Sequence, residues 1–505
     1  MSKVLVIDPP NQLNPTEAPR PQGSLGPLYL VAALEEAGIE ADFVDASVGT
    51  AEDNMEETFF RAVMQDNGLV RIGMSPERIR GLIVAGDYDV VAIHSNFTPQ
   101  TRMVLETAKI VREVSPEALI ISGGVNARNM SEYFLKTGLI DLICLTEGER
   151  IIVKITKEWH RSRSFEGVDG IIFMDSGCFV SRQADPGSIV QNLDDLPVPA
   201  WNRMPLERYA EISLPHGDVV LGENQIYAPL MTSRGCPFRC AYCHISLEKS
   251  RPDDIGNLRF KSVGRVMQEI DLLKSLGVKK VYIEDDSLLA KKARVREIFG
   301  RLLGAGLKIA DANGVNLVHL FVRDSATGRL RVDEEYLELF KASGFDHISF
   351  PIESGSQRIL DKYATAKLNH EAMDVEELVR VASGIGISCP VGIMIGFPDE
   401  TEQEIMQSVE IGRRLVGAGA KYCSFYIPIP FPGSQLYQMA ISGGYLNPDF
   451  DPDAMNWHRS VMINTAVPPE RILELKDWAW RSVNDQRYVS EREGQNIANR
   501  RSPLE

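Results

Sequence analysis

The 505-residue chain lacks any apolar run long enough to span a membrane, so no membrane contact is expected. It also lacks a long apolar leader: Met1-Ser-Lys-Val-Leu-Val-Ile-Asp8 stops at an acid and two prolines. Cysteine is scarce. Seven cysteines, an odd number at irregular spacing, argue against a disulfide framework and predict a reducing compartment, the cytoplasm. Basic residues are in deficit, 54 Lys and Arg against 70 Asp and Glu, for a net charge of −16. No nucleic-acid partner is expected, because phosphate binding needs clustered cations to displace counterions. Internal repeats and low-complexity stretches are absent too. What remains, 44% hydrophobic and 25% charged content, is the composition of a globular α/β protein long enough for two or three domains.

Residues 1–165 alternate strand and helix signals. Lys3–Asp8 reads as a buried strand, Gly26–Gly38 as a glycine-closed helix, Glu40–Val44 and Asp89–His94 as strands. Ser75-Pro76-Glu77 starts a helix that runs to about Ala85. A helix near 100–113, a strand at Ala118–Ser122, the turn Gly123-Gly124 and an apolar run at Leu139–Leu145 complete a doubly wound parallel sheet, Rossmann- or flavodoxin-like. Residues 166–224 read as a hairpin, with its turn at Asp175-Ser176-Gly177, and a linker stiffened by Asp194-Asp-Leu-Pro-Val-Pro199. From 225 to 445 the alternation resumes, with strands near 226–233, 279–284, 308–313, 346–352, 389–395 and 421–427. A helix at 262–276 carries Val266, Ile270, Leu273 and Leu276 on one face, the stripe that a barrel helix needs. A partial (β/α)6 barrel is expected there, followed by a small helical extension over 446–505 with a charged tail from about 488.

The loop Arg234-Gly-Cys236-Pro-Phe-Arg-Cys240-Ala-Tyr-Cys243 spaces its cysteines C-x3-C-x2-C at the end of the first barrel strand. Thiolates ligate iron–sulfur clusters, and three of them leave one iron open. A structural zinc site would want a fourth ligand, which His244, adjacent in sequence to Cys243, is poorly placed to supply. Cys144, Cys178, Cys389 and Cys423 lie singly inside apparent strands and read as buried hydrophobes.

This loop resembles the signature of the radical S-adenosylmethionine superfamily, and the likeness extends over residues 225–440. The resemblance implies that Cys236, Cys240 and Cys243 hold a [4Fe–4S] cluster whose open iron chelates S-adenosylmethionine and cleaves it to a 5′-deoxyadenosyl radical. It assigns Phe238 and Tyr242 to that ligand. Glu284-Asp285-Asp286 stands where relatives carry a Gly-Gly-Glu-like amine-binding motif, so Asp285 and Asp286 are candidates for it. Glu353-Ser354 resembles the ribose-binding segment, and Gly396 with Asp399 the glycine-rich motif of the fifth strand.

The order of domains resembles the cobalamin-binding branch of that superfamily, through Asp8-Pro-Pro10, Gly26-Pro-Leu-Tyr-Leu, Asp89–Phe97, Ser122-Gly-Gly124 and Thr146-Glu-Gly-Glu149. Many cobalamin domains place a cobalt-ligating histidine where this chain has Pro10. The lower face of the corrin is therefore expected to lack a histidine and to meet Ser95-Asn96-Phe97-Thr98, with Ser95, Gly123 and Gly124 beside the nucleotide tail and Glu149 also assigned to cobalamin. The function implied is methyl transfer from methylcobalamin to an unactivated carbon, or a phosphinate phosphorus, of a small molecule, with an electron donor such as flavodoxin or ferredoxin. A rearrangement, ring contraction or cyclisation with the same cofactors is the first alternative, and a cobalamin sensor or carrier with a vestigial barrel is the second. An RNA-modifying methylthiotransferase is disfavoured by the acidic charge and by the missing second cysteine set. His94 reads as a packed strand residue; Trp457, His458, Trp478 and Trp480 are candidates to cap the substrate cavity, with packing anchors near the chain end as the commoner role of such tryptophans.

Overall fold

Runs such as Val4-Leu5-Val6-Ile7, at most 1% exposed, can be buried on both faces only in a sheet sandwiched by helices. In the computed structural model, which describes residues 3–17, 19–20, 23–212, 225–311 and 313–498, they form that sheet. Strands β1 (Lys3–Asp8), β2 (Glu40–Asp45), β3 (Val90–His94), β4 (Leu119–Gly123) and β5 (Leu142–Cys144) are parallel in the order 2-1-3-4-5. The expected helices form at Leu25–Glu36, Pro76–Gly86 and Thr101–Val114. Asn11–Leu13 pairs with Val70–Ile72 in a small antiparallel sheet.

The hairpin expected in the linker, β6 (Ile171–Asp175) and β7 (Cys178–Arg182), belongs to the front sheet. It adds antiparallel to β5 and makes seven strands. Ile171 and Ile172 explain the attachment, since each is buried in a core beside that sheet. Cys144, Cys389 and Cys423 are buried as expected, but Cys178, at the start of the outer strand β7, is exposed. The end of the expected linker, 213–224, and the tail from 499 lie outside the described residues.

The second sheet system is all parallel: β8 (Tyr227–Leu230), β9 (Lys280–Ile283), β10 (Lys308–Asp311) and β11 (Phe345–His347), then β12 (Phe350–Glu353), β13 (Val391–Met394) and β14 (Cys423–Tyr426). The fourth strand, expected as one piece, is broken between His347 and Phe350, with a register irregularity in the pairings on both sides. Six strand positions thus curve into an open barrel whose first and last members, β8 and β14, are edges. Edge strands expose unpaired amides and carbonyls unless something covers them. Trp201 from the linker donates its indole N–H to the Pro229 carbonyl of β8 at 3.1 Å. Asn484, just beyond the helix Pro469–Val483, accepts from Cys423 N and donates to Cys423 O, both at 2.7 Å.

Replacing Asn484 with Ala leaves both Cys423 backbone groups buried without that partner. The unfolding free energy should fall by about 1–3 kcal/mol, read as a lower urea midpoint at unchanged slope.

Candidate active site

Strand β8 leads through Thr232 and Ser233 into the cysteine loop. Gly235 sits at φ +81, and a Cβ there would lie 2.4 Å from the Asn257 carbonyl oxygen, so the turn before Cys236 requires glycine. The loop is stitched in place by Ala241 N donating to Tyr363 O at 2.8 Å and Leu436 N donating to Ala241 O at 2.7 Å. All three cysteines are free thiols. Burial raises the pKa of Cys240 and pushes Cys243 up to about 12, so a bound metal, not the protein, would have to ionise them. His244, the neighbouring candidate for a fourth zinc ligand, pairs with Glu248 at 3.8 Å.

Above the cysteines the strand ends converge. Asp285 accepts from Thr232 N at 2.5 Å and from the Thr232 and Ser233 hydroxyls, each at 2.6 Å, so its carboxylate joins β9 to β8. Asp286 accepts from Gly235 N at 2.9 Å and shapes the cysteine loop. Glu284 has no hydrogen-bond partner for its carboxyl among the described residues, and burial together with Asp285 pushes it up to about 8. Of the three acids, the one not assigned from sequence is the one left free.

Glu353 ends β12 at φ +66, a left-handed conformation that costs a non-glycine residue of order 1–3 kcal/mol. Its Oε1 accepts from Tyr242 OH at 2.6 Å and pairs with Lys367 Nζ at 2.8 Å. Burial opposes the Lys367 charge, but Glu353 and Cys240 outweigh it and raise the pKa. Lys367 had no signal in the sequence. It is an isolated lysine in a loop, brought to the cysteines only by the fold. Ser354 is buried within a turn, its hydroxyl 3.2 Å from that of Ser408. Gly396 N and Phe397 N both donate to Glu400, at 2.6 and 3.1 Å. Asp399 does not join the group around Glu353. It binds Arg358 at 2.6 Å, Lys362 at 2.9 Å and the Tyr363 hydroxyl, supporting the Tyr363 ring that stacks on Phe397. Phe238 meets the His319 ring edge-on, with centroids 5.9 Å apart.

In the front sheet the strand order reverses between β1 and β3, and ligands of such folds bind outside the carboxyl ends at that point. Pro9 and Pro10 follow β1 there and are buried. After β3, Ser95 and Thr98 are buried, whereas Asn96 is exposed and Phe97 is 56% exposed. Gly124, at φ +108, leaves only 2.4 Å between a hypothetical Cβ and the Ser95 carbonyl oxygen, so the loops after β3 and β4 touch backbone to backbone. Asn96 Oδ1 accepts from Val125 N at 3.2 Å. Asp8 is fully buried; its Oδ1 contacts His94 Nδ1 at 2.5 Å and its Oδ2 has no partner. An exposed phenyl ring at the switch point, an orphaned carboxylate oxygen on Asp8 and the close backbone approach at Gly124 suit a large planar ligand with a polar tail. Glu149, at the start of the helix that follows β5, pairs with Arg234, two residues before Cys236, at 2.5 Å.

The comparisons agree with this division. Residues 230–411 match the radical SAM superfamily model, and residues 17–156 match the B12 binding domain model. An uncharacterized methyltransferase of Pyrococcus horikoshii is 26% identical, over 92% of this chain and 87% of its own length. Cytidylyl-2-hydroxyethylphosphonate methyltransferase of Streptomyces wedmorensis is 28% identical, over 88% and 83%. The radical S-adenosylmethionine methyltransferase TsrM from Kitasatospora setae, solved with cobalamin and a [4Fe–4S] cluster, shares the fold with a TM-score of 0.63 at 17% identity, covering 88% of this chain and 79% of that one. The chain thus carries a radical SAM domain. More narrowly, that domain is preceded in the same chain by a B12 binding domain.

Several carboxyls in the barrel half are raised by burial, Asp285 and Asp286 among them. Burial lifts Glu284 to about 8 and Asp311 and Glu400 to about 7, from 4.5, 3.8 and 4.5. Each holds a proton in the folded state where the unfolded chain has lost it, so its stabilising contribution is complete below the ordinary pKa and is lost as pH rises to the folded value. The unfolding free energy of the apoprotein should therefore decline between about pH 5 and pH 8, measured by urea titration at fixed pH values. Changing Glu284 and Glu400 together to Gln should flatten the decline.

Proposed function

We propose that the protein is a cobalamin-dependent radical SAM methyltransferase that places a methyl group on an unactivated carbon, or a phosphinate phosphorus, of a small molecule. The observation that carries this reading is the direct joining of the two sites: the segments flanking the cysteine loop are ion-paired to the loops at the carboxyl edge of the front sheet, Arg234 to Glu149 at 2.5 Å and Glu248 to Arg128 at 2.7 Å. Two reactive centres that serve one substrate must border one cavity, and this joint supplies that proximity. The likeness to the phosphonate methyltransferase supports a small-molecule substrate.

When bound, the cluster would supply the electron that splits S-adenosylmethionine, and cobalamin would carry the methyl group. The rest falls to this chain's residues. Cys236, Cys240 and Cys243 hold three irons, with Lys367 offsetting negative charge beside them. Glu284, the acid with free acceptor capacity, takes the ammonium of S-adenosylmethionine. Glu353, fixed by Tyr242 and Lys367, faces the ribose, and the backbone at Gly396 lies along the adenosyl group. Asn96 and Phe97 would hold the corrin, with Gly124 admitting its tail. The electron comes from a flavodoxin- or ferredoxin-type protein. The setting is the cytoplasm; no helix among the described residues is long and apolar enough to cross a membrane.

Anaerobically reconstituted protein should cleave S-adenosylmethionine reductively, and Cys236→Ala, Cys240→Ala or Cys243→Ala should each abolish 5′-deoxyadenosine formation. Glu284→Gln should weaken S-adenosylmethionine binding by about tenfold or more, as expected for loss of one charged hydrogen bond, and calorimetric titration would measure it. With substrate present, 5′-deoxyadenosine and S-adenosylhomocysteine should accumulate in equal amounts. A product of unchanged carbon count, with 5′-deoxyadenosine alone, would replace methylation by a rearrangement or cyclisation.

A further inference from the structure

The cysteine loop is anchored on both sides to the front domain. Ahead of it, Arg234 is 12% exposed and lies between Glu149 at 2.5 Å and Glu147 at 3.2 Å, with its guanidinium 4.9 Å over the Tyr29 ring. Arg259, on the strand paired with Ser233-Arg234, binds both oxygens of the same Glu147 at 3.0 and 2.5 Å. Behind the loop, Glu248 pairs with Arg128 at 2.7 Å, and Arg251 donates to the Leu145 carbonyl at 2.7 Å. Apart from Tyr29, these front-domain partners come from two segments. Leu145, Glu147 and Glu149 follow β5, while Arg128 lies on the short helix Val125–Asn129 that begins directly after Gly124. That helix is held to the loop after β3 by Asn126, whose side chain donates to the Ser95 hydroxyl at 3.0 Å.

We propose that this clamp couples the two cofactor sites, so that occupancy of the front-domain crevice fixes the cysteine loop and slows loss of the cluster. The proposal rests on the reading that the crevice takes cobalamin. A ligand that settles Ser95, Asn96 and Gly124 settles the helix carrying Arg128, and through Arg128–Glu248 it restrains the chain five residues beyond Cys243. The acid pair restrains Arg234, two residues before Cys236. Both hinges of the loop are thus held by segments that the crevice ligand touches or adjoins. Arg234, Glu147, Glu149, Arg128 and Glu248 are positioning residues, acting through the loop and not on the substrate. Their pairs are nearly dry, side chains 7 to 12% exposed, where charge pairing is least screened and a lost partner is felt most. Coupling through such a joint must be reciprocal, since the two binding free energies share one linkage.

The test is the rate at which a ferrous chelator strips iron from the reconstituted protein, followed by loss of cluster absorbance, with and without hydroxocobalamin. Cobalamin should slow iron loss by about tenfold in the parent protein, within the range usual for coupled sites. In Glu149→Gln and Arg128→Gln the rate should become nearly independent of cobalamin, with cobalamin still bound by its absorption spectrum. Arg203→Gln, which breaks only the exposed Arg203–Glu35 pair, should behave as the parent. Arg234→Lys, keeping the charge but not the forked geometry, should recover part of the effect. If the parent binds cobalamin and iron loss is unchanged by it, the coupling is refuted. If it binds no cobalamin, the functional reading fails instead; the clamp alone is then judged by thiol labelling of the apoprotein, where unaltered labelling of Cys236 in Glu149→Gln would refute it as a restraint on the loop.

Discussion

Glu147, Glu149, Arg234 and Arg259 would each be expensive to bury alone, and they become tolerable only when the two domains bring them together. Their side chains are 6 to 12% exposed in the docked state. The pairing of Glu147 with both arginines outweighs its burial and lowers its pKa. A buried ion pair adds little net stability over well-packed apolar groups, yet an unpaired member is strongly destabilising. The consequence is geometric: any other docking would strand charges, so the seam accepts one arrangement. A second buried group continues it, with Lys261 donating to the Tyr29 hydroxyl at 2.8 Å and pairing with Glu269. The cysteine loop, the first barrel strand and the helix Gly148–Ser162 take their mutual positions from this seam.

An open barrel is the second constraint. Closing six strands would fill the interior with side chains, whereas an open one leaves room for ligands but exposes two edges. Here the edges are met by single side chains from outside the barrel, Trp201 from the linker and Asn484 from the carboxyl-terminal segment. Tyr488 adds a stack on Tyr422 at 4.9 Å beside the second edge. The flanking segments, weak in sequence pattern, are therefore structural parts of the barrel.

Local signals were legible in the sequence, and long-range ones were not. Apolar runs gave both sheets, Ser75-Pro76 gave a helix start whose cap accepts from Arg78 N at 3.2 Å, and the cysteine spacing gave the loop. The break at Ile348-Ser349 was hidden because alternation continues through it. The hairpin Ile171–Arg182 was visible, but its attachment to the front sheet depends on partners that no local pattern names. The same limit governed the site. Glu149 entered through the resemblance of Thr146-Glu-Gly-Glu149 to cobalamin domains, and only tertiary structure pairs it with Arg234. Asp285 and Glu284 differ by one position on one strand end, which sends one carboxylate into Thr232 and Ser233 and leaves the other free.

The front domain carries the same lesson toward chemistry. Where a cobalt-ligating histidine would stand, Pro10 leads into a short strand, and Gln12 exchanges hydrogen bonds with the Gln100 side chain at 2.8 and 2.7 Å. That backbone is committed to a sheet, not to a loop that could present a ligand. His94, the imidazole beside the crevice, has its Nδ1 on Asp8 and lies with Nε2 near Gly26. On the proposed reading, the lower face then meets an amide and a phenyl ring, Asn96 and Phe97, instead of a strong nitrogen donor. A bound cobalamin would there find no strong nitrogen donor, a setting that would favour its electron-rich state. The proline substitution, the strand at Asn11–Leu13 and the Asp8–His94 contact thus act in one direction. They leave the mouth of this switch point without a free imidazole, while the proposed clamp would hold the cysteine loop against the same edge of the front sheet.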